Sequence, residues 1–384
     1  MGKTKRSFTA SGARLGILGG GQLGRMLIRY AMDLNIHPLV LDPDPSCAAH
    51  RFAYEFTTGS LLDFETVCRF GRTCDVLTFE IENVNSQALA ELVDEGIAVY
   101  PQPNILEIIQ DKGTQKLFLK KHHIPTAPFF LVKDRQEAIE KIKDLPKVVK
   151  LRRSGYDGRG VLKIRDEKEL TQIFDAPCVV EDFVPVFREI AVLLARNRRG
   201  ECAIYPPVEQ VFHPTKNILQ YLRSPAQLPQ AWQQRALALA QKIAEKLKLV
   251  GLLAVEMFVT QNGDIYVNEL SPRPHNSGHH TIEANETSQY EQLLRCLFHL
   301  PLGDTSPKSA AVMVNLLGEP GYEGKPRYLG LEKALALKGV HVHLYGKAHT
   351  RPFRKMGHVT VTAPTLEEAE DIAQKILKKV KVVA

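Results

Sequence analysis

In the first 110 positions, short apolar runs alternate with stretches in which apolar residues recur every three or four positions. The apolar runs lie in "RLGILG", "HPLVLD" and "CDVLTFE". Short apolar runs separated by helices are typical of parallel strands that are covered on both faces. The pattern from residue 14 to about 110 therefore predicts a Rossmann-like, doubly wound α/β domain, and it ends at the proline-rich turn "YPQPN".

The segments that follow predict an α+β fold. We expect a helix over Ile105–His122, an amphipathic helix in "AWQQRALALAQKIAEKLKL" and a hairpin in "LLAVEMFVTQNGDIYVNEL". Further strands are expected in "KVVKLRR", "GVLKIR", "CVVEDFV", "EIAVLLARN", "CAIYPPVE", "SAAVMVNLL", "VHVHLY" and "GHVTVTA". Thr365, with Glu368 three residues later, predicts a capped final helix. The predicted organisation is a disordered tail (1–13), a Rossmann-like domain (14–112), a central domain (113–302) and a small β-rich C-terminal domain (303–384).

The predicted hairpin carries a pair of glutamates. Asn262-Gly263 favours a two-residue type I′ turn, which would place Glu256 directly opposite Glu269. Directly opposed side chains have Cβ atoms about 5 Å apart, and like charges there are destabilising unless a cation lies between them. Because carboxylates are preferred ligands of Mg²⁺, we predict a magnesium site on these two residues. The alternative is an exposed strand face that tolerates both charges.

Two glycine-rich segments have the composition of phosphate-binding loops. "GGGQLG", Gly19 to Gly24, fits G-x-G-x-x-G and is followed by Asp42, as in a dinucleotide fold in which that acid binds the adenosine ribose. In "KLRRSGYDGRGVLKI", Lys150 ends one strand and a mobile loop leads to the next. Backbone N–H groups of such a loop can close over a triphosphate. A plain surface turn is the alternative, and no Walker A sequence is present.

Two further stretches carry charged residues in extended segments. "CVVEDFVPVFRE" could place backbone groups on an adenine edge and Glu181 or Glu189 on a ribose, or it could be an ordinary edge strand. "NELSPRPHNSGHHT" predicts an anion-binding loop, with Arg273 contacting a phosphate or carboxylate. Zinc is disfavoured because the histidine spacing fits no helical ligand pair and no cysteine is near.

Composition narrows the class of protein. The 384 residues are 44% apolar and 24% charged, as in globular proteins that contain no membrane span. The net charge of +7 includes three cations of the opening tail, and the remainder suits a site for phosphorylated anions, with no basic stripe that indicates nucleic acid. The tail lacks the apolar core of a secretory signal. Six cysteines without a C-x-x-C pair predict reduced thiols and a cytoplasmic location.

Several strings resemble one family of enzymes. Lys150, "SGYDGRG", Glu256 and "NEL", in this order, resemble the ATP-grasp superfamily. The strings "GGGQLGRML", "FEIENV", "RRSGYDGRG", "NELSPRPHNSGHHT", "ETSQYEQLLR" and "RKMGHVT" resemble the N5-carboxyaminoimidazole ribonucleotide synthetase family of purine biosynthesis, from about residue 14 to the C-terminus. The resemblance implies an ATP-grasp fold. It also implies an ATP- and bicarbonate-dependent carboxylation of the exocyclic amine of aminoimidazole ribonucleotide, through carboxyphosphate.

The resemblance also implies roles for individual residues. The ATP site would comprise Lys112, Lys150, Gly155, Tyr156, Asp157, Gly158, Arg159, Gly160, Val161, Glu181, Asp182, Phe183, Val184, Glu189, His213, Asn268 and Glu269. Glu256 and Glu269 would bind Mg²⁺, with two ions expected. The ribonucleotide would contact Gln22, Leu23, Glu82, Arg273, Lys347, Arg354 and Lys355. The residues expected to act on the reacting groups are Tyr156, Asp157, Arg159, Arg273 and Lys347.

Under this interpretation the glycine turn binds the phosphate of the ribonucleotide at a helix N-terminus, and Asp42 faces solvent or a neighbouring loop. Asn268 is expected on the opposite face of a regular strand. The chain departs from the family pattern at three positions: Lys112 replaces arginine, His280 replaces an aromatic residue and Phe353 replaces glycine.

The expected partners are small molecules, a second copy of the chain in a homodimer, and a separate mutase that receives the product. Neither nucleic acid nor a membrane is an expected partner. Three alternatives stay open: a formate-dependent glycinamide ribonucleotide transformylase with a similar "SPRPH" loop, an NAD(P)-dependent dehydrogenase, and a non-catalytic nucleotide-binding protein.

Overall fold

The computed structural model describes residues 12–153, 160–213 and 218–384. Of the predicted disordered tail, residues 1–11 lie outside this part of the chain. Gly12 and Ala13, which were expected in the tail, are buried, and the backbone N–H of His37 donates to the carbonyl of Ala13. Gly12 and Ala13 therefore belong to the packed N-terminal domain.

The N-terminal domain is the predicted doubly wound structure. Its elements are β1 (Arg14–Leu18), α1 (Gln22–Asp33), β2 (His37–Asp42), β3 (Glu55–Thr58), α2 (Phe64–Gly71), β4 (Val76–Phe79), α3 (Ser86–Asp94), β5 (Ala98–Val99) and α4 (Pro103–Gln110). The five strands form a parallel sheet in the order β3-β2-β1-β4-β5. The predicted strands β1, β2 and β4 are its centre, and the short strands β3 and β5, which have no marked apolar run, form its edges.

The central region contains two sheets. Its elements are α5 (Lys112–Lys121), β6 (Phe129–Val132), α6 (Arg135–Lys141), β7 (Lys147–Leu151), β8 (Val161–Ile164), β9 (Cys178–Asp182), β10 (Arg188–Arg196), β11 (Cys202–Ile204), β12 (Val208–Phe212), β13 (Leu219–Ser224), α7 (Gln230–Leu247), β14 (Gly251–Val259), β15 (Ile265–Ser271), α8 (Thr281–Ala284) and α9 (Gln289–Leu297). Four strands form an antiparallel sheet in the order β6-β9-β7-β8, and β10 to β15 belong to a larger sheet.

The C-terminal region extends the larger sheet. Its elements are β16 (Ala310–Leu317), β17 (Arg327–Leu329), α10 (Leu331–Leu335), β18 (Val340–Leu344), β19 (Lys355–Ala363), α11 (Leu366–Lys379) and β20 (Lys381–Val383). Because β16 pairs with β13, one nine-stranded sheet runs in the order β15-β14-β10-β12-β13-β16-β19-β18, with β11 paired to β10. The sheet therefore crosses the predicted boundary near residue 302. The core under α7 and β14 is largely distinct from the core under α11, but Met313 is buried with Ala191 and Leu222 in a cluster that both regions share. As predicted, the Thr365 side chain caps α11 by accepting a hydrogen bond from the N–H of Glu368.

Two predicted elements are interrupted. The single helix expected over Ile105–His122 is broken at Asp111, which has φ −125° and ψ 107° and caps α5 with its carboxylate. The strand expected in "CAIYPPVE" is divided into β11 and β12, because Pro206 and Pro207 have no N–H group to donate to a neighbouring strand.

The N-terminal domain packs on the central region through two helices. Tyr30 on α1 stacks on Tyr290 on α9, with ring centroids 5.9 Å apart, and Met26, Leu27 and Leu294 are buried in the same core. This contact holds the glycine turn at the start of α1 beside the loop that precedes α8 and α9. None of the helices formed by the described residues combines the length and apolarity that a bilayer crossing requires.

All six cysteines are free thiols, and four of them are buried.

Candidate active site

Glu256 on β14 pairs with Glu269 on β15, as the sequence predicts, but the hairpin reaches this register by a different route. The N–H of Thr260 donates to the carbonyl of Asp264, and three residues with Gly263 at φ +82° form the turn. The predicted two-residue turn is therefore wrong. A β-bulge after Glu256 shifts the register back by one residue, so the two deviations cancel.

The same bulge decides where Asn268 points. A regular strand would place Asn268 and Glu269 on opposite faces. In the bulged strand, Asn268 Oδ1 accepts a hydrogen bond of 2.8 Å from Lys150 Nζ. The expectation that Asn268 faces away is therefore wrong, because the extra residue in β15 turns its amide toward the β7 lysine.

Three lysines and two glutamates form a lysine–carboxylate cluster between the two sheets. Lys112 on α5 pairs with Glu269. Lys150 on β7 and Lys116 on α5 each lie 2.9 Å from a different oxygen of Glu181 on β9. Strands and a helix that are distant in sequence thus bring their charges to one place, where a polyphosphate could replace a carboxylate as the partner of a lysine.

Burial and pairing shift the pKa values in this cluster. Burial lowers the pKa of Lys116 to about 8, and Glu181 offsets only part of that effect. Burial opposes the charge of Lys112, but the charge and hydrogen bond of Glu269, together with the charges of Glu82 and Glu181, raise its pKa. Burial opposes the charge of Glu181, but Lys150 and Lys116 together lower its pKa. Lys116 was not predicted as a site residue, although its position one helical turn after Lys112 places both side chains on one face of α5.

Carboxylates also line one face of the nine-stranded sheet. Ala191 on β10 lies opposite Glu256, which puts Glu189, two residues earlier, on the same face. Burial and the charge of Glu256 raise the pKa of Glu189 to about 7. Burial and the charge of Glu269 raise the pKa of Glu256, which also accepts a hydrogen bond of 3.0 Å from Gln210 Nε2. A divalent cation would relieve this excess of negative charge.

The residues present fit a magnesium ion that shares its ligands with a nucleotide. Among the described residues, no three His, Cys, Asp or Glu side chains converge on one point that could hold a metal. Mg²⁺ is commonly bound through one or two carboxylates, with phosphate oxygens and waters completing its octahedron. Glu256 and Glu269 supply such a pair.

Backbone N–H groups of the glycine turn bind two carboxylates of the protein. The N–H of Gly20 donates to Asp42, and the N–H groups of Gly21 and Gly24 donate to the two oxygens of Glu80, each at 2.6 Å. Asp42 therefore contacts the neighbouring loop, one of its two predicted surroundings. Glu80 was not predicted, although it is the first acid of the string "FEIENV".

The first two residues of α1 remain available to a ligand. No described residue accepts a hydrogen bond from the backbone N–H of Gln22 or Leu23, the positions expected to bind the ribonucleotide. Gln22 lines a cavity of about 310 Å³ together with Lys347 and Arg354. The structure thus brings three predicted substrate residues from distant parts of the sequence to one cavity, whose lining also includes the acidic residues Asp42, Asp44 and Glu80.

The loop after β15 lies near both this cavity and the glutamate pair, because the charge of Arg273 acts on Glu80 of the cavity lining. Arg273 Nε lies 3.2 Å from Glu82 Oε1, which joins two predicted substrate residues. Two residues later, His275 Nε2 lies 3.8 Å from Glu256 Oε1. Gln289 fixes the loop, because its side chain accepts from the N–H of His275 and donates to its carbonyl, each at 2.9 Å.

The other predicted site residues are more scattered. Lys355 supplies the backbone oxygen that accepts from Lys347 Nζ at 2.8 Å, and Asp182 pairs with Lys147 at 2.7 Å. Phe183 is exposed and Val184 is buried. Val161 pairs with Lys150, and the carbonyl of Gly160 accepts from the N–H of Leu151. Outside the described residues lie Gly155, Tyr156, Asp157, Gly158 and Arg159.

His213 and the positions that depart from the family pattern have distinct surroundings. The ring of His213 lies edge-on to Phe353, with centroids 5.6 Å apart. Phe353 has φ +63°, a left-handed conformation that favours glycine, in agreement with the glycine expected there. His280 is buried, and burial lowers its pKa to about 4.

Comparison with known proteins adds three family matches along the chain. Residues 13–110 match the ribonucleotide synthetase preATP-grasp domain, residues 117–290 match the ATP-grasp domain, and residues 311–372 match the phosphoribosylaminoimidazole carboxylase C-terminal domain. The N5-carboxyaminoimidazole ribonucleotide synthase of Bacillus subtilis is 37% identical, and the match covers 96% of each chain. The chloroplastic phosphoribosylaminoimidazole carboxylase of Vigna aconitifolia is 38% identical over 93% of this chain, which spans 65% of that longer protein.

Solved structures agree in fold over nearly the whole chain. The N5-carboxyaminoimidazole ribonucleotide synthetase of Thermotoga maritima is 42% identical, with a TM-score of 0.90 over 97% of this chain and 99% of that one. An Aspergillus clavatus synthase in complex with ADP and 5-aminoimidazole ribonucleotide is 32% identical, with a TM-score of 0.87 over 96% and 98% of the two chains. The fold, the order of the three matched domains and these relatives show that the chain belongs to the N5-carboxyaminoimidazole ribonucleotide synthetase family of ATP-grasp ligases.

Proposed function

We propose that this protein carboxylates the exocyclic amine of 5-aminoimidazole ribonucleotide at the expense of ATP and bicarbonate, yielding N5-carboxyaminoimidazole ribonucleotide. The observation that carries the proposal is the pairing of Glu256 with Glu269 beside the amines of Lys112 and Lys150. One loop contacts Glu256 through His275 and acts through the charge of Arg273 on Glu80, which lines the cavity at the start of α1. A phosphate-handling site and an acceptor site are therefore neighbours.

In the first half of the reaction, bicarbonate attacks the γ-phosphorus of ATP, giving ADP and carboxyphosphate. Glu256 and Glu269 would hold Mg²⁺, and the bound ion would supply positive charge to the phosphate oxygens. Lys112 and Lys150 exchange their carboxylate partners for phosphate oxygens and offset the remaining charge. We expect two Mg²⁺ ions, which the two carboxylates and the triphosphate oxygens would bind together.

In the second half, the bond between the carboxyl carbon and the phosphate oxygen of carboxyphosphate breaks, and the carboxyl group is transferred to the amine nitrogen. The released phosphate takes the proton that the nitrogen loses. Gln22 and Leu23 offer N–H groups to the ribonucleotide phosphate, and Lys347 and Arg354 add positive charge in the same cavity. Arg273 orients the reacting groups, which raises their effective concentration. Tyr156, Asp157 and Arg159 would close over them.

We also propose a cytoplasmic homodimer whose carbamate product passes to a separate mutase. Size-exclusion chromatography with light scattering measures the oligomeric state. Product consumption by added mutase tests the second part of this proposal.

The central test is an ADP-release assay with purified protein, ATP and Mg²⁺. We expect ADP formation that requires aminoimidazole ribonucleotide and bicarbonate together. A requirement for formate and glycinamide ribonucleotide would instead establish a transformylase. Oxidation of NAD(P)H with a carbonyl substrate, independent of ATP, would establish a dehydrogenase.

A further inference from the structure

Lys116 is a buried cation that the proposed reaction does not use. Its side chain is 3% exposed, and its Nζ lies 2.9 Å from Glu181 Oε1 and 2.5 Å from Thr126 Oγ1. Thr126 in turn donates to the carbonyl of Val267, next to the bulge residue Asn268. The amine of Lys116 is therefore fixed between α5, β9 and β15.

Glu181 contacts two lysines, of which only Lys150 faces the proposed phosphate site. One oxygen contacts Lys116, and the other lies 2.9 Å from Lys150 Nζ. Lys150 also reaches Asn268, the neighbour of Glu269, so it faces the phosphate-handling side of the cluster. When Lys150 turns to a phosphate, Glu181 loses one of its two counter-ions. A buried carboxylate that loses its last counter-ion is strongly disfavoured.

We propose that Lys116 is a positioning residue that keeps Glu181 paired while Lys150 leaves it to bind the polyphosphate of ATP. The inference rests on the proposed function only in placing ATP between the two sheets. Lys116 acts through Glu181 and does not itself touch the nucleotide. Without Lys116, Glu181 has Lys150 as its remaining partner in the cluster and holds it back from the phosphates.

A double-mutant cycle tests this inference. ATP affinity is measured by calorimetry without the ribonucleotide, for Lys116→Met, Glu181→Gln and the combined variant. In the otherwise unaltered protein, which keeps Glu181, we expect Lys116→Met to weaken ATP binding by about tenfold or more. In the Glu181→Gln variant, the same substitution should weaken ATP binding by less than about twofold. Binding of aminoimidazole ribonucleotide should change by less than about twofold throughout.

Lys120→Met is the matched control. Lys120 lies one helical turn after Lys116, and the amines of both lie 6.0 Å from the ring centroid of Phe129, but Lys120 is exposed. This variant should bind ATP like the unaltered protein. An equal loss for Lys116→Met in both backgrounds would show that Lys116 acts on the nucleotide by its own charge, and would overturn the proposal.

Urea unfolding of each variant separates positioning from stability. A Lys116→Met protein that is destabilised but binds ATP normally would also overturn the proposal. If Lys116→Met does not fold, the combined variant, which removes both buried charges, is compared with Glu181→Gln alone. A difference between their ATP affinities above about twofold would contradict the inference. Failure of ribonucleotide-dependent ADP release would refute the proposed function and leave these ATP affinities unaffected.

Discussion

At the scale of single residues, Glu269 combines two interactions. It pairs with Lys112 and lies directly across the hairpin from Glu256. One carboxylate therefore stabilises a lysine of the site and contributes half of the proposed magnesium pair. Its neighbour Asn268 holds Lys150, so the two residues at the bulge contact both predicted lysines.

Replacing Glu269 with glutamine should abolish most turnover while the fold is retained. The amide keeps the shape of the side chain but removes the charge that binds Mg²⁺ and pairs with Lys112. We expect kcat to fall on the order of 100-fold or more, measured by ribonucleotide-dependent ADP release. Glu286→Gln, at an exposed glutamate, is the control. Substantial activity in the Glu269 variant would remove the metal assignment.

Glu80 is the second residue for which the structure predicts a specific effect. It accepts two backbone N–H groups at the start of α1, and burial raises its pKa. Glu80→Gln can accept only one of these hydrogen bonds and presents an N–H₂ group to the other donor. We expect the KM for aminoimidazole ribonucleotide to rise about tenfold, because a lost hydrogen bond to a charged group is worth about 1.5 kcal/mol or more.

The kinetic readout distinguishes this role from a general loss of structure. The KM for ATP should stay within a factor of about two of the unaltered value, since Glu80 lines the acceptor cavity and is not part of the lysine–carboxylate cluster. Glu91→Gln, at an exposed glutamate of α3, should change neither constant. Equal increases in both KM values would contradict a local role for Glu80.

At the scale of elements, Asp111 separates two helices and fixes where α5 begins. Its carboxylate accepts the N–H groups of Gly113 and Thr114 and binds the Arg152 guanidinium at 2.9 and 2.7 Å. Burial opposes its ionisation, but Arg152 and the two N–H groups together lower the pKa of Asp111. Because Lys112 directly follows, this cap sets the position of the first lysine of the site.

Asp111→Ala should lower the free energy of unfolding by about 3 kcal/mol, from a lost helix cap and a lost partially buried ion pair. Asp111→Asn keeps a capping oxygen and should lower the free energy of unfolding by a smaller amount. Asp63→Ala, which removes a solvent-exposed cap of α2, should have the smallest effect on this free energy. Urea denaturation measures all three, and equal losses for Asp111→Ala and Asp63→Ala would show that Arg152 contributes nothing.

At the scale of the whole molecule, a stack of three histidines joins the C-terminal strands to the loop that carries Arg273. The ring of His358 on β19 lies 4.6 Å from that of His279 and 4.5 Å from that of His343 on β18. His343 contacts Glu283 at 2.7 Å, and Tyr290 and Tyr345 lie within hydrogen-bonding distance of His279 and His358. Burial is the main cause that holds the pKa values of His279 and His358 well below the usual range, and the charges of neighbouring histidines lower them further.

This stack predicts acid sensitivity. Each depressed histidine is neutral in the folded protein and protonated in the unfolded chain below about pH 6.5, so its contribution to stability is lost as the pH falls. We expect the free energy of unfolding to decrease by up to about 1.4 kcal/mol per pH unit for each such histidine between pH 6.5 and 4.5. Urea denaturation across this range measures the slope.

His358→Phe should reduce that slope, because one buried titrating group is removed while an aromatic ring remains in the stack. His341→Phe, at an exposed histidine of β18, should leave it unchanged. Identical slopes in the two variants would show that the stack does not govern the acid response of this protein.

Local pattern was sufficient for the identity of most elements. Apolar runs predicted β1, β2 and β4, Thr365 predicted the start of α11, and the pattern of one hairpin predicted that Glu256 lies opposite Glu269. These features depend on residues close in sequence, where the side-chain periodicity of helices and strands applies. The family strings predicted the fold and the enzyme class that the comparisons confirm.

Only the tertiary structure decided which groups share a partner. Three contacts join elements that are distant in sequence and leave no local signal: Lys150 with Asn268, Lys116 with Glu181, and Glu80 with the N–H groups of Gly21 and Gly24. The continuation of the central sheet into β16 is another such contact. Charge pairing and backbone hydrogen bonding over long separations depend on how the sheets pack, and packing is set by the whole chain.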